Sequence, residues 1–184
     1  MADRDILVFV EEPSAYEVVR AVARKLALQD RVLIFKHRGA GDLERSLGRK
    51  IVADPKSDSK YLILRDADGG DCRALKSRLL ALIPSSRRAR TLVRIVCQEL
   101  EAWYLAQPDA LRAAGALNRK LPVSILRGDV DVVTDPKRVF LRHAYDKGQV
   151  EDARRIGERL EIGSTKSSSF KHFVSALSRL AALP

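Results

Sequence analysis

The sequence predicts an α/β fold, a mostly parallel sheet flanked by helices and followed by a helical C-terminal extension. Short β-prone apolar runs alternate with helical patterns through the first half of the chain. Strand signals fade after Gln107, and Pro108, Pro122, Pro136, Gly148 and Gly163 then punctuate a remainder that reads as helices alone. Strands separated by helices need right-handed crossovers, and these give a mostly parallel sheet covered on both faces.

DILVFV (5–10) reads as a buried strand. The helix after it carries Val18, Val19, Val22 and Leu26 at helical spacing, with Pro13 and Ser14 where a proline and a capping hydroxyl belong. RVLIFK (31–36) is the second strand, followed by the loop HRGAGD and a short helix at LERSLGRK. KYLILRD (60–66) is the third strand, CRALKSRLLALI a helix, RTLVRIVC (90–97) the fourth strand and QELEAWYLA a helix. PDALRAAGALNRKL, DPKRVFLRHAY, VEDARRIGERLEI and SSSFKHFVSALSRLAAL read as the helices of the extension. No low-complexity linker intervenes, so the expected organisation is an α/β core over 1–106 with an extension over 107–184 packed on it as one folded unit.

A chain of 184 residues, 46% hydrophobic, is long enough for one well-buried core. MADRDILVFV is too charged and its apolar run too short for a signal peptide, and no later segment could span a bilayer, so a soluble, cytoplasmic protein without membrane contact is expected. Cys72 and Cys97 have no second Cys or His at zinc-ligand spacing and are expected to be buried thiols. The 34 Lys and Arg against 24 Asp and Glu give a net charge of +10, which favours a polyanionic partner, nucleic acid above all. Arg87, Arg88, Arg90 and Arg94 cluster around the fourth strand. Lys137, Lys147, Lys166 and Lys171 fall in the basic last third, the better phosphate-tracking surface. The absence of a G-x-x-x-x-G-K-[ST] stretch argues against ATP hydrolysis by the chain itself.

In parallel α/β sheets, ligands bind beyond the carboxyl ends of the strands. Three strands here end in carboxylates: Glu11 and Glu12 after the first, Asp66 and Asp68 after the third, Glu99 and Glu101 after the fourth. If the strand continues through 66–68, Asp66 and Asp68 point the same way and can share one ion. A hard divalent cation such as Mg²⁺ (or Mn²⁺) takes oxygen ligands, commonly one or two carboxylates plus water and phosphate, and Glu11 can complete such a site. An EF-hand beginning at Asp66 fails, because Gly70, Asp71 and Ser77 stand at its fifth, sixth and twelfth positions. The same acids also fit a plain reading as turn formers and helix-start residues, and the pattern alone leaves both open.

Glu99 and Glu101 lie about 200° apart around a helix, so at most one faces the site, and Glu101 is the choice. STKSSSFKHF (164–173) offers hydroxyls and Lys166 at a helix start, where a phosphate can bind or an ordinary cap can form. Trp103 suits the core better than base stacking, and His37 is the histidine nearest the expected active edge.

LVFVEE before a helix and LILRDAD after the third strand resemble the Toprim fold, with a glutamate after the first strand and an Asp-x-Asp pair after the third. Together with DGGDCRALK, VRIVCQELEAWYLAQ, DPKRVF and SSSFKHFVSAL, they resemble the Toprim-related domain of unknown function family 4276 over nearly the whole chain. The resemblance implies a Toprim-like, Mg²⁺-dependent nuclease. It would be related to the nuclease domains of overcoming-lysogenization-defect proteins, in bacterial defence beside an ABC-type ATPase. Residue by residue, Glu11 matches the Toprim glutamate, with an acid/base or metal-linked role. Asp66 and Asp68 match the metal pair, and Glu101 matches the acid of the family's Glu-x-Trp stretch. Glu12 departs from the pattern by standing where Toprim glutamates are followed by glycine. That departure keeps a second reading in play, a non-catalytic module that binds nucleic acid or a partner ATPase.

Overall fold

The computed structural model describes residues 4–184. Strands β1 (Ile6–Val10), β2 (Val32–Lys36), β3 (Lys60–Asp66) and β4 (Thr91–Val96) form a four-stranded, all-parallel sheet in the order β2-β1-β3-β4. Helix α1 (Pro13–Lys25) connects β1 to β2, α2 (Ala40–Val52) connects β2 to β3, and α3 (Cys72–Ala81) with the short α4 (Ser85–Arg88) connects β3 to β4. Beyond the sheet follow α5 (Glu101–Leu105), α6 (Pro108–Ala113), α7 (Val123–Arg127), a 3-10 turn at Val130–Val132, α8 (Pro136–His143), α9 (Gln149–Gly157) and α10 (Ser168–Ala181).

The period-2 alternation of the strands divides the core in two. Ile6, Val8, Val10, Leu62 and Leu64 face α1 and the C-terminal helices, whereas Leu7, Phe9, Tyr61, Ile63 and Val93 face Leu43, Leu47 and Ile51 of α2 and Leu79 of α3. β1 is buried along its whole length, which is why its sequence is apolar without alternation. α9 packs on α1, and α10 packs on β4 and β3. The first cluster thereby runs unbroken from Ile6 to Leu180.

Several elements differ from the sequence expectation. The second helix begins at Ala40, ahead of LERSLGRK, and runs through Val52. α6 stops at Ala113, because Gly115 takes a left-handed φ of +59° and its N–H turns back to the Arg112 carbonyl. The cysteines are partly exposed rather than buried. Trp103 is fully buried, 5.0 Å from the Phe170 ring and 5.1 Å from Phe173, and its indole N–H donates to Ser169 Oγ at 2.8 Å. It is a core residue and cannot stack on a base.

The two ends of the sheet differ in charge. At the amino end, Asp5 is paired with Arg31 at 2.6 Å and with buried Lys60 at 3.0 Å, and these contacts hold its carboxyl down to about 2. Among the described residues the carboxyl end has no comparable neutralisation.

Candidate functional site

Glu11 follows β1 directly, and Asp66 is the last residue of β3. Because Val10 pairs with Leu64, the two acids emerge side by side, and the Asp66 N–H donates to Glu11 Oε2 at 3.3 Å. β4 ends one register step away, and the loop after it turns so that the Leu100 N–H donates to Asp66 Oδ2 at 3.2 Å. Glu101, 6% exposed, then opens α5. Parallel pairing thus delivers carboxylates from three strand ends to one edge.

Asp68 departs from its expected geometry. The strand does not continue through it: Ala67 to Gly70 form a tight turn closed by the Gly70 N–H on the Ala67 carbonyl at 2.7 Å. Both central residues are left-handed, Asp68 at φ +48° and Gly69 at φ +76°, which is the reason for an Asp-Gly pair here. Asp68 is therefore exposed at the turn, though its charge still reaches Glu11. Asp71, the last acid of DADGGD, is spent as the cap of α3, accepting from the N–H groups of Arg73 at 2.7 Å and Ala74 at 3.2 Å.

The electrostatics of the edge are those of crowded, like charges. Burial and then the charge of Asp68 push the Glu11 carboxyl up. Burial, followed by Glu11, Glu12 and Glu101, pushes Asp66 well above the usual carboxylate range. Burial raises Glu101 to about 7 against the pull of Lys137. The cation nearest Glu11 is Arg65, whose Nε stands 3.8 Å from Glu11 and 3.6 Å from Glu44 without a hydrogen bond to either. The donor set is all oxygen, hard and short of counter-charge, which fits Mg²⁺ or Mn²⁺. Among the described residues no three His, Cys, Asp or Glu side chains stand together as a finished metal cage. Mg²⁺ does not require one, because it keeps several waters and uses one or two carboxylates.

Residues 9–178 match the family model described as Domain of unknown function (DUF4276). The chain belongs to this DUF4276 family. Its fold is similar to two solved structures. One is the C-terminal region of the Burkholderia pseudomallei OLD protein, at 13% identity over 96% of this chain and 98% of that chain, with a TM-score of 0.58. The other is the C-terminal region of the Xanthomonas campestris pv. campestris OLD protein, at 14% identity over 98% of each chain, with a TM-score of 0.54. At such identity the likeness is one of fold. No curated protein matches the chain.

The four lysines of this DUF4276 chain are not gathered together. Lys137 reaches the acidic edge: its N–H donates to Glu99 Oε2 at 3.0 Å and its charge acts on Glu101. The Lys166 ammonium is engaged by the Leu126 carbonyl. Lys147 lies by α9, where its N–H approaches Asp152 at 3.4 Å, and Lys171 is on the exposed side of α10. The hydroxyl-rich start of α10 is filled from within the chain. Asp131 accepts from Ser167 Oγ at 2.7 Å, from the Ser169 N–H at 2.9 Å and from Ser169 Oγ at 3.1 Å. A carboxylate of the protein occupies the place where a phosphate was conceivable.

Glu12 sits at φ −141°, an extended conformation open to any residue, and accepts from Ser14 Oγ at 2.5 Å, so the fold itself does not call for glycine there. His37 is buried, with Nδ1 on the Val10 carbonyl at 2.8 Å and Nε2 on the Lys50 ammonium at 2.8 Å. An ammonium only donates, so Nε2 accepts and Nδ1 carries the proton, and the ring is a neutral strut. Two further residues belong to the edge. Arg65 was hidden behind the apolar run YLIL of β3. Tyr104 has a buried hydroxyl without a partner and a phenol pushed far up by burial and then by Glu101, Glu12 and Asp66. The three-residue spacing from Glu101 to Tyr104 is the signal that could have exposed it.

Among the described residues no helix is long and apolar enough to cross a membrane.

Proposed function

We propose that the chain is a Toprim-like, metal-dependent nuclease or related phosphodiester-cleaving enzyme. The observation that carries this reading is the convergence of Glu11, Asp66 and Glu101 from three strand ends, with each carboxyl raised by burial. Glu11, Asp66 and Asp68, with Glu101 as a further carboxylate, would hold Mg²⁺ or Mn²⁺. Such an ion, when bound, activates a water and neutralises charge developing on a phosphodiester.

The chain's own residues supply the rest. Glu11, whose proton affinity burial and the charge of Asp68 raise, is suited to hold and return a proton. Asp66 is anchored by the Leu100 N–H, which keeps its second carboxylate oxygen oriented. Lys137 stands where it can meet a nucleic-acid phosphate beside the acids. Lys147, Lys166 and Lys171 add to the positive field of the C-terminal helices, in a chain whose net charge is +10. Nucleic acid is accordingly the proposed substrate. An ABC-type ATPase in a defence setting, inside the cell, is the partner that the resemblance to Toprim nuclease domains implies.

The test is Mn²⁺- or Mg²⁺-dependent cleavage of plasmid and single-stranded nucleic acid by the purified protein beside Asp66→Ala. Metal-dependent cleavage that disappears in the variant is expected; equal cleavage by both proteins would remove Asp66 from the mechanism. The second reading, a non-catalytic module that binds nucleic acid or an ATPase, rests on Glu12, which stands where Toprim glutamates are followed by glycine and adds bulk and negative charge beside Glu11. It expects nucleic-acid binding that is indifferent to metal.

A further inference from the structure

The outer edge of β4 has the features of a recognition surface. Among the described residues β4 pairs only with β3. The Tyr61 N–H donates to the Arg90 carbonyl at 2.9 Å and the Ala67 N–H to the Val96 carbonyl at 3.0 Å. The parallel ladder between these bonds spends the backbone groups of Leu92 and Arg94 on β3, so the N–H and C=O groups of Val93 and Ile95 face the outer edge, where Val93 is only 1% exposed and its carbonyl is covered by the Arg94 guanidinium. Along it lies a cleft of about 620 Å³ between β4 and α3, bordered by Lys76, Leu80 and Arg88.

No carboxylate lines this cleft, although Lys76, Arg88 and Arg94 all do. Arg88 Nε donates to the Ile83 carbonyl at 3.0 Å, and Arg94 donates through Nε to the His172 carbonyl and through Nη1 to the Val93 carbonyl, each at 3.0 Å. The arginines are held by neutral acceptors, and their charge is left uncompensated. Arg179 adds to it from α10. Sheet edges are normally covered or blunted, and here the guard on the Val93 carbonyl is the half-buried Arg94 side chain, held by neutral carbonyls alone, which a carboxylate can draw away to uncover the edge.

We propose that the β4 edge docks an extended acidic segment of a partner protein, which adds to the sheet as a strand and sets its carboxylates against Lys76, Arg88 and Arg94. Alternating donors and acceptors along Val93 and Ile95 match a peptide backbone, whereas a phosphodiester chain has no N–H groups to return to the carbonyls. Leu80 and Leu92 lie between the cations, which suits side chains that alternate acidic and apolar. A second copy of this chain is disfavoured by its net charge of +10. The surface is separate from the carboxylate edge, and its test involves no cleavage.

The test is binding of a fluorescent peptide of alternating Glu and Val, followed by anisotropy and by amide hydrogen exchange of the intact protein. Binding that weakens with salt, slows exchange at the Val93 and Ile95 amides, and falls roughly tenfold or more in Lys76→Glu/Arg88→Glu is expected. Both altered side chains are exposed, so the fold should be retained, which circular dichroism checks. A peptide N-methylated at alternate residues should lose binding to the same degree. Equal affinity for the N-methylated peptide, no protection at Val93 and Ile95, or no binding would overturn the proposal. Displacement of the peptide by an oligonucleotide whose own binding is abolished by Lys76→Glu/Arg88→Glu would instead assign the surface to nucleic acid.

Discussion

Replacing Glu101 by Gln should make the protein more stable at alkaline pH, an unusual outcome for removal of a charged site residue. Glu101 is 6% exposed, and its carboxyl is raised from 4.5 to about 7, first by burial. A group whose pKa is raised on folding stabilises fully below its unfolded value, and the contribution is lost as pH rises through the folded value. The window therefore runs from about pH 4.5 to beyond pH 7. At about 1.4 kcal/mol per pH unit, ionised Glu101 costs the native state roughly 3 kcal/mol at pH 8.5 relative to pH 4.5. Gln keeps the shape and cannot ionise. Urea unfolding followed through the fluorescence of Trp103, the single tryptophan, should give Glu101→Gln a gain over wild type at pH 8.5 that shrinks towards zero at pH 4.5. Titrations common to both proteins cancel in that difference. A gap independent of pH, or a variant less stable at pH 8.5, would show that Glu101 is not held in its proton-binding environment.

Asp131→Ala removes the acceptor for Ser167 and Ser169 at the start of α10 and should cost about 2 to 4 kcal/mol in denaturant unfolding without changing metal affinity. Asp5→Asn should lower stability at pH 7 by about 1 kcal/mol after solvent screening. The Asp5 carboxyl is depressed to about 2, so this loss should vanish as pH falls through that value, which acid titration of both proteins would show. Gly69→Val puts a β-branched side chain at φ +76° and should cost about 1 to 2 kcal/mol in stability while displacing Asp68, so divalent-metal affinity should fall with it in a calorimetric titration.

The sheet was legible because its central strands are buried on both faces: ILVFV and KYLILRD cannot be half-exposed strands, and the helices between them dictate parallel crossovers. From that topology follows the meeting of Glu11, Asp66 and Glu101, since residues just beyond parallel strands share an edge. Asp68 was misplaced because alternation was carried one turn too far, past the Asp-Gly pair that reverses the chain. The lysines were less legible, because where Lys137, Lys147, Lys166 and Lys171 come to rest depends on the packing of short helices that strand logic does not reach. Asp131 escaped notice for a similar reason: its partners, Ser167 and Ser169, lie more than thirty residues away in sequence, and no local pattern announces the pair. Arg65 follows the apolar run YLIL within β3, where a charged residue reads as noise until Glu11 and Glu44 are seen beside it.

The central claim is that the carboxylate edge is built to hold a divalent cation. The most direct measurement is calorimetric titration of Mn²⁺ into wild type and Asp66→Asn at pH 7.5, repeated in two buffers of different ionisation enthalpy. One saturable site in wild type, lost or strongly weakened in the variant, is the expected result, with any proton release read from the difference between the two buffers. Mn²⁺ binding that is absent in wild type, or equal in the two proteins, would contradict the account.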